Sequence, residues 1–179
     1  IHELGHGLGF LSNDAYDPFY GLGSLDQPTP FDAYLQTSDG RRLADLPTPS
    51  QELGVALTSS LVWNGALGIK ANGGIKPKMY TPSRYEPGSS TSHLDENTFS
   101  KSGLDSVMTP SLDPGEVFRQ PGPLLLAMME DMRNKPPAGV ATELPLSPRN
   151  VQAFTGDSSA LISFDPPVNL RTAQISEYV

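Results

Sequence analysis

The chain has no cysteine and only three histidines among its 179 residues. Without cysteine there is no disulfide framework and no thiolate to act as nucleophile or ligand. Metal chemistry, if present, falls to imidazoles and carboxylates. Basic residues are also few: 12 Lys and Arg against 20 Asp and Glu, for a net charge of −8. That balance excludes the basic surface that nucleic-acid binding requires and disfavours attraction to anionic membranes. No apolar run reaches the roughly 18 residues of a membrane span. Chain punctuation, by contrast, is plentiful. The 18 Pro and 17 Gly predict a loop-rich structure. The length suits one domain and a little more.

Two of the three histidines stand in the opening stretch, within His2-Glu3-Leu4-Gly5-His6. Residues four apart lie on one face of a helix, so His2 and His6 are placed to share a metal ion. Glu3 falls beside that ion and is positioned to take a proton from metal-activated water. Neutral imidazole donors favour Zn2+. Ile1, Leu4 and Leu8 make the helix apolar, which gives two histidines no obvious packing role. The helix is predicted over residues 1–9, with Gly9 as a stopper suited to positive φ. His-Glu-x-x-His-x-x-Gly opens the metzincin peptidase site, whose third ligand usually follows three residues after the glycine. Ser12 occupies that position here and is a poor zinc ligand, so the third ligand must lie elsewhere.

Four blocks carry a closer resemblance: His2 to Phe10, then Ser92-His93-Leu94-Asp95-Glu96, then Ser106-Val107-Met108-Thr109-Pro110, and Pro123 to Met132. Together they resemble the leishmanolysin-type metzincins, in which a long insertion separates the glycine from the third histidine. The resemblance spans roughly residues 1 to 132. It implies His93 as third zinc ligand, Met108 in the turn beneath the metal, and a supporting C-terminal helix. It also implies a zinc endopeptidase acting on protein or peptide substrates, with Glu3 as general base. Pro110 stands where some metzincins carry a tyrosine, so that role is unfilled. Glu96 is a rival third ligand, because carboxylates serve in other zinc peptidases. One of Asp95 and Glu96 is placed to accept a hydrogen bond from a ligand imidazole; otherwise the two form a solvated pair.

Between these blocks the expected pieces are short. Asn13 to Pro30 has loop composition, and its acids Asp14, Asp17 and Asp26 are expected in solvent rather than around calcium. Phe31–Leu35 and Arg41–Leu43 suggest a hairpin about Asp39-Gly40. Thr48-Pro49-Ser50-Gln51 predicts a helix to about Ser60 with Thr48 as cap. Short extended pieces are expected from Leu61 to Tyr80, and residues 81–92 as an exposed loop. A buried helix is predicted over 123–133 from Leu124, Leu125, Met128 and Met132 on one stripe.

Residues 135–146 read as a linker. Beyond it, residues 147–153 and 159–167 resemble the first two strands of a fibronectin type III domain, and 175–179 the start of the third. Such a sandwich needs about seven strands, so this one is expected to be cut off. The chain also opens within its first motif, with no cap before His2. The expectation is a fragment lacking the N-terminal half of a peptidase domain over 1–134. The fold class predicted is α+β, in a modular protein that is secreted or at the cell surface. Two other functions remain open: a catalytically inactive, adhesive peptidase-like module, and a structural metal site closed by four ligands.

Overall fold

The computed structural model describes residues 1–134, 149–156 and 159–165. It is of mixed α+β class, helices with small antiparallel sheets. The chain divides into two compact units, Ile1–Val140 and Ala141–Val179. The predicted linker 135–146 and the expected third strand at 175–179 lie outside the described residues.

The first unit opens with helix α1 (His2–Gly7). Its end has a definite cause. Gly9 adopts φ +106, and the Phe10 amide then donates to the Gly5 carbonyl while the Gly9 amide donates to that of His6. This is the Schellman pattern, which needs a left-handed residue just past the helix. It turns Phe10 inward, where it is fully buried. A small hairpin follows, β1 (Ala15–Asp17) and β2 (Leu22–Ser24), paired antiparallel.

The predicted hairpin about Gly40 is present only as a turn and one bridge, Gln36 to Arg42. Phe31 and Asp32–Tyr34 instead form a 3-10 turn leading to β3 (Leu35–Thr37). The helix predicted near residue 50 is α2 (Gln51–Leu57), and its cap is Ser50, whose hydroxyl accepts from the Leu53 amide at 3.0 Å. Thr48 is engaged elsewhere: its hydroxyl accepts from the Leu25 amide at 2.8 Å.

β4 (Leu61–Trp63) pairs antiparallel with β3, Leu35 opposite Trp63. The stretch after it departs from the extended reading, because α3 (Ala66–Ala71) occupies it. Gly65 has no side chain to cap that helix. Asp131 does so from α5 (Pro123–Asn134), accepting from the Leu67 amide at 2.9 Å and the Gly68 amide at 2.8 Å. The same carboxylate accepts from Trp63 Nε1 at 3.0 Å. Between α3 and α5 lies the short helix α4 (Glu96–Phe99) and a 3-10 segment, Gly103–Met108. Asp105 Oδ1 accepts from the Leu124 amide at 2.9 Å and so fastens the start of α5 to that segment.

The core is continuous. Phe10, Phe31, Trp63 and Tyr34 make a chain of ring contacts with centroids 4.7–5.2 Å apart. Leu35, Leu53, Leu57, Leu61, Met79, Leu94, Met108, Leu124 and Met128 pack about it. Strand-like pairing then runs outward from β4. Met79 donates to the Leu61 carbonyl, Tyr80 to that of His93, and Leu94 to that of Met108. The predicted loop 81–92 is therefore exposed only in part. Ser90, Thr91, Ser92 and His93 are buried; Ser90 Oγ accepts from the Glu86 amide, the Thr91 hydroxyl donates to the Ser90 carbonyl, and Ser92 Oγ accepts from the distant Ser12 amide.

In the second unit β5 (Arg149–Gly156) and β6 (Ser159–Asp165) form one antiparallel hairpin, with an irregularity between Arg149 and Gln152. Asn150 takes φ +50 there, and its side-chain Nδ2 donates to Asp165 Oδ2 at 2.6 Å.

Asp131 is the most consequential polar residue of this architecture, at 6% exposure with three donors aimed at its carboxylate. Replacing it by alanine strands all three, at about 1–3 kcal/mol for each buried unpaired group. Asp131→Ala is expected to lower the unfolding free energy of the first unit by at least about 3 kcal/mol, read from urea denaturation. A loss below about 1 kcal/mol would show that water replaces the carboxylate.

Candidate metal centre

The three histidines of the chain meet. His2 and His6 project from α1, and His93 arrives on the rung that pairs with Tyr80. The Nε2 atoms of His2 and His6 are 3.1 Å apart, and each is 3.2 Å from Nε2 of His93.

Those separations are of hydrogen-bond length, yet hydrogen bonding does not account for them. Each ring donates its other nitrogen to a backbone carbonyl: His2 Nδ1 to Val107 at 2.7 Å, His6 Nδ1 to Phe10 at 2.8 Å, His93 Nδ1 to Ser89 at 2.8 Å. A carbonyl only accepts, so each neutral ring carries its proton on Nδ1. The three Nε2 lone pairs then face one another with no proton between them. Such a group repels itself unless a cation stands among the nitrogens. Two nitrogens bound at roughly 2.0–2.1 Å to one tetrahedral ion stand about 3.3–3.4 Å apart, close to what is seen. The donor set and its spacing therefore fit a metal ion, and the three residues can hold one. Burial pushes His93 down to about 4, outweighing the opposing bond to Ser89. The ring is neutral at pH 7, as a ligand must be.

The surrounding residues differ from expectation in two respects. Asp95 and Glu96 do not brace the imidazoles. Asp95 caps α4 through the Thr98 amide at 3.0 Å, and Glu96 Oε2 accepts from the Ser111 amide at 3.2 Å. Glu96 is also outside the ligand group. Carbonyls of Val107, Phe10 and Ser89 take the orienting role, and backbone groups leave no mark in a residue pattern. The second difference concerns the leucines in and just past α1. Leu4 and the C-cap Leu8 are 66% and 73% exposed and line an apolar groove with Leu125, Leu126 and Met129 of α5. The buried residue of α1 is Gly5.

Gly5 explains how the helix sits on its support. Met108 is fully buried, and a Cβ on Gly5 would stand 2.8 Å from its sulfur and 3.2 Å from its methyl. Only a glycine lets the backbone of α1 rest on the thioether. Glu3 is exposed, and its charge acts on His93 across the centre. No fourth His, Asp or Glu joins the three imidazoles among the described residues.

Comparison with family models, with curated proteins and with solved structures finds no match to this chain.

Two outcomes are expected at this centre. His93→Ala should abolish tight binding of one zinc equivalent, measured by equilibrium dialysis against a chelator; unchanged zinc content would remove His93 from the ligand set. Gly5→Ala should destabilise despite the helix propensity of alanine. Propensity favours it by about 1 kcal/mol, but overpacking against Met108 costs about 1–3 kcal/mol. A double-mutant cycle with Met108→Ala should recover the difference as coupling; strictly additive effects would mean that the two residues do not press on each other.

Proposed function

We propose that this chain is the metal-binding part of a zinc-dependent endopeptidase, with a metzincin-like domain over 1–134 and a fibronectin type III-like segment over 147–179. The observation that carries the reading is the convergence of three Nε2 lone pairs beside a glutamate on the same helix. Three ligands leave a fourth position open, which is the arrangement of catalytic rather than structural zinc. Bound zinc supplies Lewis acidity, acidifying water and polarising a carbonyl.

The chain's own residues supply the rest. His2, His6 and His93 hold the ion through Nε2, each locked in one tautomer by its carbonyl partner. Met108 and Gly5 set the height of α1 above its support. Glu3, one residue past His2 and in solvent contact, accepts a proton from the attacking water and delivers it to the departing amine. The other features of the family resemblance support the same reading. Val107 accepts from the ring of His2, Met108 lies against Gly5 of the same helix, and Leu125 of α5 also comes near Gly5. The domain is proposed to act outside the cell on protein substrates, and the linker reading of 135–146 is retained as part of that proposal. Among the described residues no helix is long and apolar enough to cross a membrane.

The test separates catalysis from metal binding. Glu3→Gln should keep one zinc per chain while casein hydrolysis falls by about 10²–10⁴-fold, the usual contribution of a general base. Full activity in Glu3→Gln would refute the assigned role. A wild-type chain that binds zinc without any chelator-sensitive cleavage would favour the inactive, adhesive alternative.

A further inference from the structure

Away from the histidines, Asp32 is wholly buried at 0% exposure. Its Oδ2 accepts from the Thr29 amide at 2.7 Å, the Thr29 hydroxyl at 3.0 Å and the Asn13 amide at 3.3 Å. Its Oδ1 has no partner, and no other buried side-chain polar atom among the described residues is in that condition. Asp14 lies nearby and is half-buried. It accepts from the Tyr85 hydroxyl at 2.6 Å, the Ser12 hydroxyl at 3.0 Å and the Thr91 hydroxyl. The two carboxylates repel each other, and the Ser12 hydroxyl stands close enough to stabilise both. The ion pairs of the described residues involve neither acid. Burial accordingly pushes both carboxyls above their usual range.

Two like charges taken out of water need compensation by a proton or by a cation. The donors favour the cation. Six hydrogen bonds arrive at these carboxylates, and each favours the charged form against the burial that disfavours it, so a cation there would act with the donors where a proton would act against them. An unpaired carboxylate oxygen, a second carboxylate and a hydroxyl are instead an incomplete shell of hard oxygen donors.

We propose that Asp14, Asp32 and Ser12 form a second metal site, distinct from the histidine centre, that takes a calcium-class cation. The donors are all oxygen, which suits calcium and excludes the softer metals that prefer imidazole or thiolate. Calcium also tolerates irregular geometry completed by water, whereas magnesium demands a strict octahedron. The location gives the ion a task. Ser12 and Asp14 follow α1, while Tyr85 and Thr91 precede His93, and the Ser12 amide donates to Ser92 Oγ at 3.1 Å. A cation there ties the strand that carries His93 to the end of the helix that carries His2 and His6.

Terbium luminescence tests this, because Tyr85 touches Asp14 and can sensitise an ion bound there. The parent is the full chain carrying His2→Ala and His6→Ala, which silences the histidine centre. It is expected to give saturable tyrosine-excited emission at one Tb3+ per chain, displaced by Ca2+ but not by equal Mg2+. Asp32→Asn should weaken Ca2+ competition by at least about tenfold, with Asp26→Asn, an exposed acid, unchanged. Ca2+ should raise the Tm of the parent and not of Asp32→Asn. Should Asp32→Asn fail to fold, Tyr85→Phe must cut the emission while preserving displacement by Ca2+. Absence of saturable emission, equal Ca2+ affinity in Asp32→Asn, or undiminished emission in Tyr85→Phe would each overturn the proposal.

Discussion

Three imidazole lone pairs held within 3.2 Å of one another are the constraint around which the first unit is arranged. Lone pairs so close call for a cation among them, and each ring is aimed at that point by a carbonyl behind it. The carbonyls are those of Val107, Phe10 and Ser89, drawn from three separate segments. Each of those segments is in turn fixed by something larger. Phe10 is turned inward by Gly9, Val107 belongs to the 3-10 segment beneath α1, and Ser89 belongs to the turn that ends in His93.

The energetic support is mostly apolar and lies behind the centre. The aromatic chain from Phe10 to Tyr34 joins the end of α1 to the β3–β4 pair. From β4 the pairing passes through Met79 and Tyr80 to His93, and through Leu94 to Met108. Position 93 is therefore referenced to the same core as position 6. Asp131 closes the back of this core by capping α3 and holding Trp63 at once. The carboxylate's loss of water there is offset by three N–H bonds.

How much of this could be read from residues alone varied with range. The His2–Glu3–His6 face, the stopper Gly9 and the buried stripe of α5 follow from helix geometry, which is local. Helix α3 was hidden, because its cap is supplied by Asp131 from another helix and Gly65 at its start advertises a turn. Asp14 sits in a stretch with the composition of a solvated loop and Asp32 in one read as a hairpin arm, and only the folded chain brings them together. One of Asp95 and Glu96 was expected to brace a ligand; Asp95 instead caps α4, and Glu96 accepts from the amide of Ser111, 15 residues further on.

The sequence by itself determined the chemistry on offer: imidazoles and carboxylates, no thiol, and two histidines with a glutamate in helical register. Register of that kind depends on a 3.6-residue repeat and needs no distant partner. Tertiary structure decided which third residue completes the group, which nitrogen of each ring is free, and which acids lose their water. Those outcomes depend on backbone carbonyls and on burial, and both are set by contacts between segments far apart in the chain.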